Sequence, residues 1–352
     1  MGDQMSFGDL ESQGQRRKTR REEFLERMDA IVPWDRWTAL IEPHYHSQQR
    51  GRHVRGAETM LRMYLLQVMF GLSDEGTEDA ILDSRAMQRF MHIDLMREQV
   101  PDATTLAKFR HILERKGLGK AMLDELNSEL EAAGVMMRGG SIVDATFIEA
   151  PSSTKNEGHS RDPEAHQSKK GKNWHFGFKA HIGVDAGSGL VHTVETTAAN
   201  VSDVAMAHSL VRGDDRFCYA DSGYTGVAKR PEVASDPHLS SMRWTVARKP
   251  STVKGLDCAL SAEKGIESRK ASVRSKVEHP FLIVKRRFGH IRTRYRGIEK
   301  NGCLLHAAFA LSNLAMCISA GRALEPCRRL PDPAGQPCPD SLPEGVRKAM
   351  AP

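Results

Sequence analysis

At 352 residues, the chain is long enough for roughly two domains of about 150 residues, each with its own core. Lys and Arg total 51 against 45 Asp and Glu, a formal charge of +6 with a pI near 9.0, which points to a polyanionic partner. The six cysteines form no C-x-x-C pair and four fall in the last fifty residues without regular spacing, which argues against a disulfide framework and against a zinc finger.

The opening segment, residues 1–23, is polar and carries the run RRKTRREE from Arg16, with five basic residues in six positions. It reads as a flexible arm, either solvated or ordered on a polyanion. From Phe24 to about residue 135 the apolar spacing is helical: Leu61, Leu65, Val68 and Leu72, then Leu106, Phe109 and Leu113, then Leu118, Met122, Leu126 and Leu130. Pro101 and Asp102 supply a break and a cap ahead of the second segment, and Gly117 and Gly119 separate it from the third. These lengths fit a helix-turn-helix and equally a small helical bundle. MLRMYLLQVMFGL, from Met60, is the longest apolar stretch; it contains Arg62 and Gln67 and is too short to span a bilayer. No signal-peptide core precedes it, so the expected location is the cytoplasm.

At Gly139-Gly140 the period changes from helical to alternating, which places a boundary near Met136. SIVDATFIEA reads as a strand, and NWHFGFKAHIGVDAGSGLVHTVETT as a long hairpin turning at Asp185–Gly189, with Trp174, Phe176, Phe178, Ala180, Ile182 and Val184 on one side. A helix around Asp203 to Val211, a short strand RFCYAD ending in the loop SGYTG, and a strand MRWTVAR follow. Residues 136–325 thus form a mixed α/β domain, helical again at its end. The prolines from Pro326 onward mark a disordered tail over residues 326–352.

Three acids stand out. Asp144 lies mid-strand beside Ile142 and Thr146, where a carboxylate needs a metal, a basic partner or a half-solvated face. Asp221 ends a strand just before Ser222-Gly223, where it can face a cleft or make an Asx turn. Glu278 follows Arg274 by four residues and precedes Lys285 by seven, so the three project from nearly one line of a helix. That stripe suits a metal ligand between phosphate-holding cations, or a surface ion pair. Pro280 requires the helix either to kink or to begin close to Glu278.

Together the acids, separated by 77 and 57 residues, could hold two divalent ions, Mg²⁺ or Mn²⁺, about 3.5–4 Å apart for in-line phosphoryl transfer. Between Arg269 and Lys300 stand eleven basic residues against Glu278 and Glu299, a density suited to DNA phosphates. His175, His181 and His192 could be imagined as a zinc site, against ordinary sheet or DNA-facing roles. Lys169, Lys170 and Lys172 read as a loop approaching DNA, and Trp244 either stacks on a flipped base or packs in the core.

PDATTLAKFRHIL, IVDATFIEAP, KKGKNWHFGFKAHIGVDAGSGLVHTVETTAANVSDV, YADSGYTG, RSKVEHPFLIVKRRFG and RYRGIEKN resemble the bacterial DDE transposases of the insertion sequence 5 group, over about Pro33 to Ala320. The resemblance implies a ribonuclease-H-like catalytic core whose metal-binding, catalytic triad is Asp144, Asp221 and Glu278. It also implies a helical N-terminal domain, residues 24–135, that binds terminal inverted repeats. Arg274, Glu278 and Lys285 match the family's spacing around its glutamate, whereas its tyrosine position is Ala271. The cations expected on DNA are Arg274, Lys285, Arg286, Arg287, Lys179, Arg294 and Arg296. The expected protein is a homodimeric or larger transposase that cuts and joins double-stranded DNA with Mg²⁺; a structure-specific nuclease and an inactive DNA-binding relative are the rivals.

Overall fold

The computed structural model describes residues 17–45, 55–155, 158–249 and 261–321. The first sixteen residues of the expected arm and the whole Pro-rich tail lie outside the described residues. The remainder of the basic run does not stay an arm: Thr19 accepts a 3.1 Å hydrogen bond from the Glu22 amide and starts helix α1 (Arg20–Ile31) inside it.

Six further helices follow: α2 (Trp34–Ile41), α3 (Ala57–Phe70), α4 (Asp74–Asp83), α5 (Arg85–Met91), α6 (Ala103–Arg115) and α7 (Leu118–Ala132). Asp102 caps α6 by accepting from the Thr105 amide at 2.7 Å, as its place after Pro101 suggests. Helix α3 is apolar nearly all round and forms the centre, with Met60 to Met69 buried. Its buried cation is satisfied internally: Arg62 Nη1 donates to Asp29 Oδ1 and to the Phe90 carbonyl, both at 2.7 Å, and the guanidinium lies 3.9 Å from the Trp34 ring centroid.

The second half is built on strands β1 (Ser141–Glu149), β2 (His166–Lys170), β3 (Asn173–Asp185), β4 (Val191–Ala198), β5 (Phe217–Ala220) and β6 (Arg243–Val246). β4, β3 and β1 are antiparallel; β5 joins β1 in parallel, and β6 joins β5 in parallel. This is the ribonuclease-H-like mixed sheet that the sequence led us to expect. The β3 strand overruns the sheet, and β2 pairs only with its overhanging end. The short helix α8 (Asp203–Met206) lies on the β4-to-β5 crossover, and α9 (Pro231–Ala234) and α10 (Pro237–Ser241) lie between β5 and β6.

After β6 come α11 (Ser261–Arg274), a 3₁₀ turn over Ser275–Val277, α12 (Glu278–Leu282) and a π turn over Ile283–Arg287. The change of pitch starts α12 at Glu278, so the missing amide of Pro280 falls in a first turn, where no helical partner is needed. Helix α13 (Ile298–Ser319) is long and apolar enough to cross a membrane, yet it packs inside the fold against α7, α3 and β4. It approaches α7 so closely that a Cβ on Gly119 would lie 2.5 Å from the Cys303 carbonyl. Asn313 fastens it to the sheet, accepting from the Val191 amide at 2.9 Å and donating to the Val191 carbonyl at 2.7 Å.

Both faces of β3 are covered beyond Gly177. Ala180, Ile182 and Val184 enter the main core and Phe178 is buried on the same face, while Lys179, His181 and Asp185 are buried on the other face. Trp174, on the overhang, is 67% exposed.

Candidate active site

The parallel register of β1 and β5 sets Val143 opposite Ala220, so the next residue on each chain, Asp144 and Asp221, falls at the same level. Asp144 is mostly buried, and its Oδ1 accepts from the Ala145 amide at 2.7 Å. Burial, with added repulsion from Asp221 and Glu278, pushes its pKa up to about 6, against the pull of the Ala145 amide and Arg274. Asp221 Oδ1 accepts from the Gly223 amide at 2.8 Å. The Asx turn and the cleft position thus coexist at Asp221, because the turn fixes the carboxylate that ends the strand.

Glu278 is brought to β1 by the helix that Arg274 anchors. Arg274 Nη1 sits 3.2 Å from Asp144 Oδ2 and 4.0 Å from Glu278 Oε1. Lys285, in the π turn, donates to Thr146 Oγ1 at 3.0 Å, two residues beyond Asp144 on the same strand face. Burial, reinforced by the charges of Lys170 and Arg286, lowers its pKa despite Glu149. Beside these groups runs a groove of about 590 Å³, lined by Thr146, Glu278, Phe281, Leu282, Lys285 and Arg286 among others.

Tyr224, which sequence reasoning passed over within SGYTG, belongs to this site. It is 1% exposed, its pKa is raised by burial and by the carboxylates of Asp144, Asp203 and Asp221, and its hydroxyl has no hydrogen-bond partner among the described residues. An orphaned hydroxyl beside mutually repelling carboxylates is what a bound dication with its water would complete. The donor set, all oxygen and anionic, therefore suits a hard divalent ion. As placed, however, no group of three or more His, Cys, Asp or Glu among the described residues is close enough to hold a metal. The Glu278 side chain, 62% exposed, has room to swing inward.

The other expected cations are placed differently. Lys179 is buried and donates to the Val201 carbonyl and to Asp203 Oδ1, both at 2.8 Å, which takes it off the DNA-accessible surface. The alternation of β3 was readable, but the cover on its second face was not. Arg287 stacks its guanidinium 4.0 Å from the Phe24 ring centroid, and Arg296 donates to Ser160 Oγ at 3.1 Å and to the Arg161 carbonyl at 2.8 Å. Arg294 lies against the turn after α3, where a Cβ on Gly71 would come within 2.8 Å of its Nη2. Arg286 is exposed at the groove.

The three histidines do not converge. His175 stacks on Phe147 with centroids 4.5 Å apart and faces Glu149 Oε1 at 3.1 Å, His181 meets Thr197 Oγ1 at 2.8 Å, and His192 Nε2 meets Ser141 Oγ at 2.8 Å. Ser141 also donates to Asp215, so this serine, histidine and aspartate form a buried structural knot in which the hydroxyl is already spent. Trp244 is half-buried: its Nε1 donates to the Leu239 carbonyl at 3.1 Å and its ring packs on the smaller of the two apolar clusters.

Residues 136–314 match the family described as transposase DDE domain, and residues 13–112 match a transposase domain (DUF772). No solved structure matches the chain. The first match alone covers half of the sequence, begins at the boundary before β1 and encloses Asp144, Asp221 and Glu278, so the chain belongs to the DDE transposases, enzymes that act on DNA.

Proposed function

We propose that this transposase binds the terminal inverted repeats of its own insertion sequence, cuts them free and joins them to target DNA. Asp144, Asp221 and Glu278 are the ligands for two Mg²⁺ ions, which Mn²⁺ can replace. Such ions activate the attacking water or 3′-hydroxyl and stabilise the leaving oxygen. Arg274 holds Asp144 and Glu278 in mutual register, and with Lys285 it offers positive charge to the phosphates on either side of the reacting one. Arg286, Arg287, Arg294 and Arg296 contribute further charge along the same segment; Lys179 stays within the fold. The observation that carries this reading is the β1–β5 register that sets Asp144 level with Asp221.

The helical region, residues 24–135, recognises the element ends, with residues 136–325 as the catalytic domain. Because two ends must be joined in concert, the working form is a homodimer or larger assembly on DNA, in the bacterial cytoplasm at the nucleoid. The decisive experiment incubates the protein with labelled element ends and a supercoiled plasmid, in Mg²⁺ or in EDTA. Metal-dependent joining is the expected outcome. Cutting without joining would identify a nuclease, and binding with neither step in Mg²⁺ or Mn²⁺ would identify an inactive DNA-binding relative.

A further inference from the structure

The hairpin of β2 and the overhanging half of β3 has no place in the chemistry above. Its tip, Lys169 to Trp174, holds three lysines and no acid, and all six of these residues are exposed. Lys169 pairs directly with Trp174 across the strands, and its ammonium lies 5.7 Å from the indole centroid. The indole, 67% exposed, offers a flat aromatic face to a partner, and the cations flanking it discourage burial against an ordinary apolar protein surface. Its surroundings suit a polyanion that also offers flat aromatic faces.

The hairpin also shares a sheet face with the reaction centre. Asp144 pairs with Ile182, and residues at even positions of β3 share one face, so Trp174 projects from the same face of the sheet as Asp144. Eight residues separate Ile182 from Trp174, a run of roughly 26 Å along an extended strand. That length corresponds to about eight base pairs of duplex.

We infer that this hairpin is a DNA-contacting arm whose Trp174 stacks on a base about eight pairs from the reacting phosphate, while Lys169, Lys170 and Lys172 hold the adjoining backbone. The inference rests on the proposed function insofar as DNA is the substrate. It adds a contact that neither the acidic triad nor the N-terminal helices supply.

The test uses the full-length protein with 40-base-pair duplexes ending in the DNA that flanks its coding region. 2-Aminopurine is placed in turn at each position from five to eleven pairs from the cleaved end, and Ca²⁺ is present so that binding proceeds without cutting. Trp174→Ala is expected to weaken binding roughly tenfold and to abolish the 2-aminopurine fluorescence change, whereas Trp174→Phe keeps most of both. Because the side chain is exposed, thermal unfolding of both variants should match wild type, and circular dichroism checks this.

Equal affinity and an equal fluorescence change in Trp174→Ala would overturn the inference. So would a change of oligomeric state in that variant without DNA, which would make Trp174 a contact between copies of the chain. If wild type binds and shows the Trp174-dependent signal but fails to join ends in Mg²⁺, the proposed chemistry falls and the arm stands. Absence of any DNA binding by wild type overturns both.

Discussion

Arg274 reaches back across 130 residues of sequence to place its Nη1 3.2 Å from Asp144 Oδ2. This contact neutralises a buried carboxylate that a divalent ion would otherwise neutralise, so guanidinium and metal compete for the same charge. Arg274→Gln is therefore expected to lower the Mn²⁺ concentration needed for half-saturation by several-fold in calorimetry, while strand cleavage slows by about tenfold or more as phosphate positioning is lost. Weaker metal binding in the variant would show that Arg274 supports the ligands instead of competing with the ion.

Glu278→Gln separates the ligand from its neighbours. The substitution is nearly isosteric and leaves Arg274 and Lys285 in place, so DNA affinity should stay within a few-fold while cleavage is lost. Gel-shift and nicking assays on the same preparation read both quantities. A variant that cuts at the wild-type rate would remove Glu278 from the triad.

The Tyr224 hydroxyl is buried without a partner among the described residues. Removing it should leave the metal-free protein as stable as before or more stable by up to about 1 kcal/mol, because the group is desolvated for no return. If the hydroxyl serves a bound ion and its water, Tyr224→Phe should also shrink the rise in melting temperature that Mn²⁺ produces. An unchanged metal-induced rise would place the hydroxyl outside the metal site.

Much of this arrangement could be read before any coordinates. The helical spacing of Leu118, Met122, Leu126 and Leu130 located α7, the Asp102 cap located α6, and the Asp-Ser-Gly sequence marked Asp221 as a strand end, with a cleft position and an Asx turn as alternatives. What escaped has a common cause: a period reports which residues share a face, not what covers that face. Lys179 and Trp174 lie on the same strand, and periodicity cannot tell that the first is roofed over while the second projects beyond the sheet. Tyr224 escaped because its role depends on Asp144, 80 residues away in sequence, which only the strand register brings near. At Glu278, the single stripe drawn through Arg274 and Lys285 assumed one regular helix; the 3₁₀ and π turns replace it, yet all three side chains still reach β1 or each other.

Two buried histidines make stability depend on pH. Burial lowers the pKa of His192 to about 3, with Arg212 adding to the effect, and that of His290 to about 4. In the unfolded chain both titrate near 6.5, so between that value and the folded pKa the unfolded state binds more protons. Stability is complete above about pH 6.5 and falls as pH drops, by roughly 1.4 kcal/mol per pH unit for each histidine. Urea unfolding at pH 7.5 and 5.0 should show the lower midpoint at pH 5.0. His290→Gln, which can still donate toward the Val68 carbonyl, should flatten the dependence.

At the α7–α13 crossing, Gly119→Ala would drive a methyl group into the Cys303 backbone. Neither helix can yield without moving the sheet that Asn313 ties to α13, so a loss on the order of 1–3 kcal/mol is expected. Thermal unfolding measures it, and a wild-type melting temperature would mean that the two helices separate more readily than their packing implies.

Gly119 and Cys303 also set a timetable for synthesis. One belongs to a helix made within the first two-fifths of the chain, the other to a helix made near the end of the described residues. At about 5–20 residues per second, a ribosome takes roughly 10 to 40 s to travel between them. Throughout that interval α7 packs on α2 and α6 but the part of its apolar face that α13 covers stays open, so the nascent N-terminal half carries exposed apolar surface until α13 arrives.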